Sequence, residues 1–386
     1  MRVLFFNYEY PPLGGGAANA TSYILHEFKH ISDLKVDLVT SSIDNNFHLE
    51  KIGENIIIHK LPVGKNKKNL HYQSQKDLLV YSWKAYFYAR KLVKKEKYDL
   101  SHSFFSVPCG FISWILKIQY KIPYIVSLRG ADVPGYSERF SFWYWLYTPI
   151  IKMVWSGAKA VISNSQGLKE LALKSSPKKE IGVIFNGINI NDFRPDGSRK
   201  PEDRFIITNG ATRLTARKGT EYLIRAIFLL IKKYPQIRLK IIGDGSDSED
   251  LKKLSCKLKL EKNIEFLGRV PHEDVQKYYQ EASVFVLPSL NEGMSNAMLE
   301  ALSSGLPILA TDTGGTKELI REGENGFIIK MRDSADIAEK IEKLIEDKNL
   351  RQKMAQNSRE MAKKLSWKNV ADKYYQLYEK ISKNIS

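Results

Sequence analysis

Short apolar runs alternate with longer segments of helical periodicity along most of this chain. Val3–Asn7 reads as a buried strand, followed by a glycine-rich turn and a helix over Ala17–Phe28. Val36–Thr40, Ile56–Lys60, Leu100–Phe104, Tyr124–Leu128 and Ala160–Ser163 read as further strands, with Lys76–Lys94 a long helix between two of them. The pattern then restarts, with strands over Phe205–Asn209, Leu239–Ile242, Ile264–Phe266, Val284–Leu287, Ile308–Ala310 and Phe327–Ile329. Strands alternating with helices predict parallel, doubly wound sheets. The polar stretch Asp192–Arg204, with Pro195, Gly197 and Pro201, reads as a linker between two such domains. From about Asp333 the chain reads as helical, with Ser366 an N-cap before a final helix. The expected fold class is α/β, two doubly wound domains facing across a cleft. In such sheets ligands bind beyond the carboxyl ends of the strands.

Composition narrows the partners. The 386 residues suit two or three domains, and a hydrophobic fraction of 43% suits ordinary cores. The net charge of +17 is uneven, +11 through Ile190 and +6 beyond it. Such a balance favours anionic partners: nucleotides, an anionic lipid surface or nucleic acid. Cys109 and Cys256 are too far apart in sequence to suggest a disulfide framework or a metal site, which fits a reducing compartment. The apolar run after Met1 is too short for a signal peptide. No apolar stretch of transmembrane length occurs, so any membrane contact is expected to be peripheral.

The richest segment for chemistry runs from Glu292 through Gly293, Met294, Ser295 and Asn296 to Glu300. One carboxylate precedes a helix and the other lies within it. A helix start offers free N–H donors to phosphate or sugar oxygens, and carboxylates accept from polyols. Together they suggest a sugar-nucleotide site. Arg213 follows the first strand of the second half, and Lys218-Gly219 opens a helix; this pair could clamp a diphosphate, although alone it reads as an exposed basic turn. Neither a P-loop nor a dinucleotide fingerprint is present.

Weaker signals surround these. Gly14, Gly15 and Gly16 read either as a flexible turn or as a place where backbone approaches a phosphate or sugar. Gly243 and Gly245 after one strand would admit a base or ribose, and Arg269 and Val270 after the next would border the base. Asp132, after Arg129-Gly130-Ala131, points into a cleft or forms an Asx-type turn. His102 ends a strand and reads more readily as structural than as touching substrate. No D-x-D triplet occurs, so no divalent metal is expected on the diphosphate. The aromatic run Phe140–Tyr147 reads as an interfacial helix or one packed on its own sheet. Lys65, Lys67, Lys68, Lys91, Lys94, Lys95 and Lys97 add positive charge to the same half.

In this order the pieces resemble the family-4 retaining glycosyltransferases, over nearly the whole chain. The match is carried by Glu292 to Pro307, Arg213 with Lys218-Gly219, Asn186-Gly187-Ile188-Asn189, Gly314-Gly315 before Glu318, and Ser366-Trp367. The resemblance implies the GT-B architecture, two Rossmann-like domains with a donor cleft between them. Residues 1–186, completed by 367–386, would form the acceptor-side domain, and 187–366 the donor domain. It further implies that Glu300 binds ribose hydroxyls and Glu292 the transferred sugar. Gly293 through Asn296 would donate backbone N–H groups, Arg213 and Lys218 would stabilise the leaving diphosphate, and Gly15 and Gly16 would line the opposite wall. No metal or other cofactor is implied.

Two departures stand out. Arg129 occupies a position where many members carry His, and a guanidinium cannot act as a base; it can bind an acceptor phosphate or a donor oxygen. Ala18 replaces an acidic residue. The expected activity is transfer of a hexosyl or N-acetylhexosaminyl group, with retention, from a UDP-sugar or GDP-mannose. The acceptor would be a lipid-linked saccharide, in cell-surface polysaccharide or glycolipid assembly on the cytoplasmic membrane face, with Arg129 and Asp132 near the chemistry. A sugar-nucleotide isomerase or hydrolase of the same fold is one alternative. A nucleic-acid-binding module is another, without zinc spacing or a single-strand-binding motif to support it.

Overall fold

The short apolar runs become the strands of two sheets, one in each of two units. The units are Met1–Gly187 with Trp367–Ser386, and Ile188–Ser366. The computed structural model describes residues 1–65, 73–136, 141–196, 205–292, 294–313 and 315–383, without the side chains of 141–145, 211 and 212.

Unit 1 contains β1 (Arg2–Phe6), β2 (Lys35–Ser41), β3 (His48–Ile52), β4 (Ile56–Leu61), β5 (Leu100–Phe104), β6 (Tyr124–Ser127), β7 (Ala160–Ser163) and β8 (Gly182–Val183). Their order is β3-β4-β2-β1-β5-β6-β7-β8, and every pairing is parallel except β3 with β4. Between them run α1 (Gly16–Phe28), α2 (Gln75–Lys95), α3 (Phe111–Tyr120), α4 (Ser141–Gly157) and α5 (Gln166–Ser175). Val3 through Phe6 are wholly buried. Val3 and Phe5 join a core containing Ile24 and Phe28 of α1, whereas Leu4 and Phe6 pack with Tyr81 and Ala85 of α2. A strand covered on both faces needs an unbroken apolar run, which is why β1 does not alternate.

Unit 2 contains β9 (Ile206–Arg213), β10 (Arg238–Asp244), β11 (Ile264–Gly268), β12 (Val284–Leu287), β13 (Ile308–Thr311) and β14 (Gly326–Ile329). They form an all-parallel sheet in the order β11-β10-β9-β12-β13-β14. Its helices are α6 (Thr220–Leu230), α7 (Ser248–Lys257), α8 (His272–Glu281), α9 (Asn296–Ser303), α10 (Thr316–Leu319), α11 (Ser334–Glu346) and α12 (Lys348–Lys364). In each sheet the first strand lies inside, β1 between β2 and β5, β9 between β10 and β12. The chain therefore winds outward in both directions and leaves a switch point beside the first strand.

After α12 the chain returns to unit 1 as α13 (Trp367–Lys383). Trp367 stacks on Tyr23, centroids 5.2 Å apart, and Tyr374 and Tyr378 are buried. Each large aromatic so buried contributes roughly 2 kcal/mol. A Cβ on Gly187 would lie 2.6 Å from the Trp367 ring, so the return requires glycine there.

The alternating strand–helix expectation therefore holds. β3 and β8 were not expected: β3 is largely exposed and carries no apolar run, and β8 spans two residues. The stretch read as a linker begins as packed structure. Phe193 is buried and its carbonyl accepts from Ser303 Oγ (2.6 Å) and Arg359 (2.9 Å), while 197–204 lie outside the described residues. Lys65 is not a solvated cation; it is 7% exposed and pairs with Asp77 at 3.0 Å. Lys67, Lys68, Phe140 and the side chains of 141–145 lie outside the described residues.

Candidate functional site

The sheet of unit 2 delivers its chemistry to one edge. Arg213 ends β9, Asp244 ends β10, Gly268 ends β11 and the Ser289–Glu292 segment follows β12, all at carboxyl ends. Beyond β9 the chain makes a tight turn over Ala216–Lys218, then takes Gly219 through φ +62° into α6. A Cβ on Gly219 would collide with the carbonyl oxygen of Pro288, so the β9 and β12 loops can close together only with glycine there. Leu290 N donates to Arg217 O (2.7 Å), tying the same two loops.

That closure brings Lys218 to Glu292 across 74 residues of sequence, Nζ donating to Oε1. Both side chains are about 85% sheltered, with exposures of 15% and 14%. Ser289 Oγ donates to the same carboxylate at 3.4 Å. The pair sits where β9 meets β12, the switch point of the sheet. Arg213, at the end of β9, is exposed, and its side chain pairs with no described residue.

Glu300 lies on α9, which Ser295 caps by accepting from Met298 N at 3.4 Å. Its Oε1 meets His272 Nε2 at 3.1 Å, and its Oε2 accepts from Tyr279 OH at 3.2 Å. The carboxylate raises the His272 pKa above the ordinary imidazole value. His272 and Tyr279, both on α8, were not anticipated. Neither belongs to a motif, and only the fold of α8 beside α9 makes them partners. Met294 and Ser295 are buried, Asn296 begins α9, and Gly293 lies outside the described residues.

Beside this cluster a cavity of about 180 Å³ is lined by Leu214, Gly243, Asp244, Ser248, Phe266 and Gly268. Such a volume holds one ring system of a ligand rather than a whole drug-sized molecule. A Cβ on Gly245 would run into the Leu214 backbone, and Gly243 takes φ +125°, so both glycines are required by the protein itself. Asp244 accepts from Ser248 Oγ and Gly245 N, both at 2.8 Å, which lowers its pKa; Arg269 lies 3.9 Å away. Val270 follows on the half-exposed loop.

Unit 1 also gathers polar groups at its carboxyl edge. Gly15 caps α1 without a side-chain cap, and a Cβ there would meet nothing within 4 Å. Gly16 begins α1, so its first-turn N–H groups are free of side-chain caps. Asp132 is buried and spends its oxygens on four donors: Ser106 N (2.8 Å), Ser106 Oγ (2.9 Å), Arg129 N (2.9 Å) and Gly130 N (3.1 Å). Burial raises its pKa against the pull of those hydrogen bonds. Its contacts are those of a loop organiser, joining the β5 and β6 loops.

Arg129 is held flat, its guanidinium 3.9 Å over the Phe104 ring, donating to Asn186 (2.9 Å) and to Tyr374 OH (3.4 Å). Nε is buried without a described partner, and no carboxylate among the described residues pairs with the charge. His102 is buried between Tyr378 OH (2.6 Å) and Ser127 Oγ (2.7 Å). Burial, and then the Arg129 charge, push its pKa far below the ordinary value, so it is a neutral structural group. A larger hollow, about 380 Å³, lies at the ends of β2 and β4 beside Tyr10, Asp44, His48, Glu50 and Lys60. Its polar groups already have partners: Asp44 hydrogen-bonds His48, and Lys60 pairs with Glu50.

Two family models match the chain in succession. Glycosyltransferase Family 4 covers residues 14–192 and Glycosyl transferases group 1 covers residues 190–361. An uncharacterized glycosyltransferase of Methanocaldococcus jannaschii is 28% identical over 383 residues, 99% of each chain. Among solved structures, the sucrose-phosphate synthase of Thermosynechococcus elongatus aligns over 99% of both chains with a TM-score of 0.80 at 21% identity. An Anabaena protein, HepE, solved with UDP-glucose, aligns over 98% of this chain and 100% of its own, with a TM-score of 0.73 at 19% identity. These likenesses show the GT-B fold.

Proposed function

The chain belongs to the group 1 glycosyltransferases, with a Family 4 first half, and from that premise we propose that it moves a hexosyl or N-acetylhexosaminyl group from a UDP-sugar to an acceptor hydroxyl with retention of configuration. GDP-mannose is the second donor in this reading. The observation that carries it is the Lys218–Glu292 pair at the switch point of unit 2, with Arg213, which has no described partner, at the end of β9. The diphosphate would take Lys218 from Glu292 and engage Arg213, and Glu292 would then be free to accept from the sugar hydroxyls. Glu300 would accept from the ribose, and the base would fill the cavity beside Gly243 and Gly268. The Anabaena structure with UDP-glucose supports a uridine donor.

In the transfer step the acceptor oxygen bonds to the anomeric carbon as the bond from that carbon to the diphosphate breaks. The electron pair goes to the diphosphate, and the acceptor proton follows it to the departing phosphate on the same face. Fixed cations stabilise that developing charge in place of a metal. Arg129, whose terminal nitrogens each donate to one described partner, Asn186 and Tyr374, would hold an oxyanion or hydroxyl of the acceptor with its remaining N–H groups. We take that acceptor to be a lipid-linked saccharide, met at the cytoplasmic membrane face. No helix among the described residues is long and apolar enough to cross a membrane.

The test is calorimetry and thermal shift with UDP, GDP, ADP and their sugars, in EDTA and then with Mg²⁺, followed by NMR of the product anomer. Metal-free stabilisation by UDP and a retained product are expected. An inverted product, or no response to any nucleotide, would refute the reading. Sugar release at the same rate with and without acceptor would point to hydrolysis instead.

A further inference from the structure

Helix α2 presents two opposite faces. Tyr81, Ala85 and Ala89 are buried against the sheet. On the other side Leu79, Trp83 and Phe87 recur every four residues, 69%, 69% and 38% exposed. That spacing puts all three on one outward stripe. Trp83 and Phe87 lie against each other, ring centroids 4.6 Å apart, so the stripe is continuous. Leu79 and Trp83 are the most exposed large hydrophobic side chains among the described residues.

The charge along this helix is almost entirely of one sign. Within Gln75–Lys95 the cations are Lys76, Lys84, Arg90, Lys91, Lys94 and Lys95, against one acid, Asp77. Helical spacing turns Lys76, Arg90 and Lys94 to the stripe's side, so cations stand at both of its ends. Asp77 cannot offset them: it accepts the Ser74 cap and pairs with Lys65 at 3.0 Å, to the side of the stripe. A second copy meeting this face by two-fold symmetry would set cation against cation. An apolar stripe centred on Trp and flanked by long cationic side chains matches a layer with anionic headgroups over hydrocarbon.

We propose that the outer face of α2 docks on an anionic lipid bilayer, with Leu79, Trp83 and Phe87 entering the headgroup region and Lys76, Lys91 and Lys94 engaging lipid phosphates. The proposal rests on the membrane-side acceptor reading for its purpose, and on the helix alone for its evidence. Of the lysines that the sequence gathers in this half it uses Lys91 and Lys94, whereas Lys65 is paired with Asp77.

The full chain is to be co-sedimented with vesicles of phosphatidylglycerol and phosphatidylcholine, and with phosphatidylcholine alone, at low and high salt. The wild type should partition to the anionic vesicles and release with salt. Leu79→Gln/Trp83→Gln should lower that partition at least about tenfold, with unchanged melting temperature and unchanged UDP affinity. Lys76→Gln/Lys94→Gln should reduce the preference for anionic lipid and its salt dependence. Equal binding to neutral vesicles, or unchanged partition in the Leu79/Trp83 variant, would overturn the proposal. So would a dimer in sedimentation analysis that this variant abolishes. Vesicle binding without sugar transfer would sink the transferase reading and leave this one standing.

Discussion

Lys218→Ala separates two effects that the structure superimposes. The lysine stabilises Glu292 in the free enzyme and, in the proposed reaction, the departing diphosphate. Breaking a fully buried ion pair from one side costs about 3–5 kcal/mol, and a surface pair about 0–1. With exposures of 15% and 14% the Lys218–Glu292 pair lies between, so Lys218→Ala should cost roughly 1–3 kcal/mol of stability. Among the described residues, the Ser289 hydroxyl at 3.4 Å would remain to the carboxylate. Loss of one preorganised donor to a developing anion lowers turnover by about 10²–10³-fold. Removing the stranded charge as well, in Lys218→Ala/Glu292→Gln, should recover most of the stability, because neighbours in one ion pair are strongly non-additive. It should not recover turnover, since no cation has been returned to the diphosphate. The measurements are urea unfolding and single-turnover transfer at saturating donor in EDTA. If the double variant regains turnover together with stability, Lys218 serves only to neutralise Glu292 and the leaving-group role is wrong.

The His272–Glu300 pair gives a pH signature. The raised His272 pKa contributes stability that is fully present below the unfolded value of about 6.5 and is lost as pH rises through the folded value. If the ribose needs Glu300, UDP affinity should climb over that same window as the imidazolium lets go. His272→Ala should flatten the climb, and an identical slope in the variant would exclude the competition. Gly219→Ala should lose at least about 1–3 kcal/mol from the φ of +62° alone, read by thermal unfolding, because the Pro288 carbonyl also blocks relaxation. Wild-type stability there would show that the two loops are not locked together. Arg129→Met removes a sheltered guanidinium that pairs with no described carboxylate, so stability should change by less than about 1.5 kcal/mol. Acceptor KM should rise while UDP affinity stays constant; a loss of UDP affinity would assign Arg129 to the donor.

What was legible in the sequence is local. The runs Val3–Phe6 and Val284–Leu287 announce strands because both faces of each are covered, and that burial leaves no polar position to blur the pattern. Gly245 was legible as a place of close approach, though the structure changes what approaches: it is the protein's own Leu214 backbone. Pairings between distant segments were not legible. Nothing near Lys65 signals Asp77, and nothing in the α8 sequence signals that His272 and Tyr279 will face Glu300. β3 escaped for the opposite reason: an exposed edge strand needs no apolar run, so its residues look like loop.

The same distinction orders the candidate site. Arg213, Lys218, Glu292 and Glu300 could be picked out one loop at a time, because each follows a strand that its own residues declare. The charge state of the site depends on contacts between loops. Glu292 is held by Lys218 and Glu300 by His272 before any ligand arrives, whereas Arg213 is left without a described partner. Donor binding on this arrangement is an exchange of partners, in which an anionic diphosphate takes one cation that is free and another that is already matched. Its affinity should therefore fall with salt less steeply than two free cations would give, since Lys218 changes one anionic partner for another. A salt slope from UDP titrations that matches two free cations would mean that the Lys218–Glu292 pair does not persist in solution.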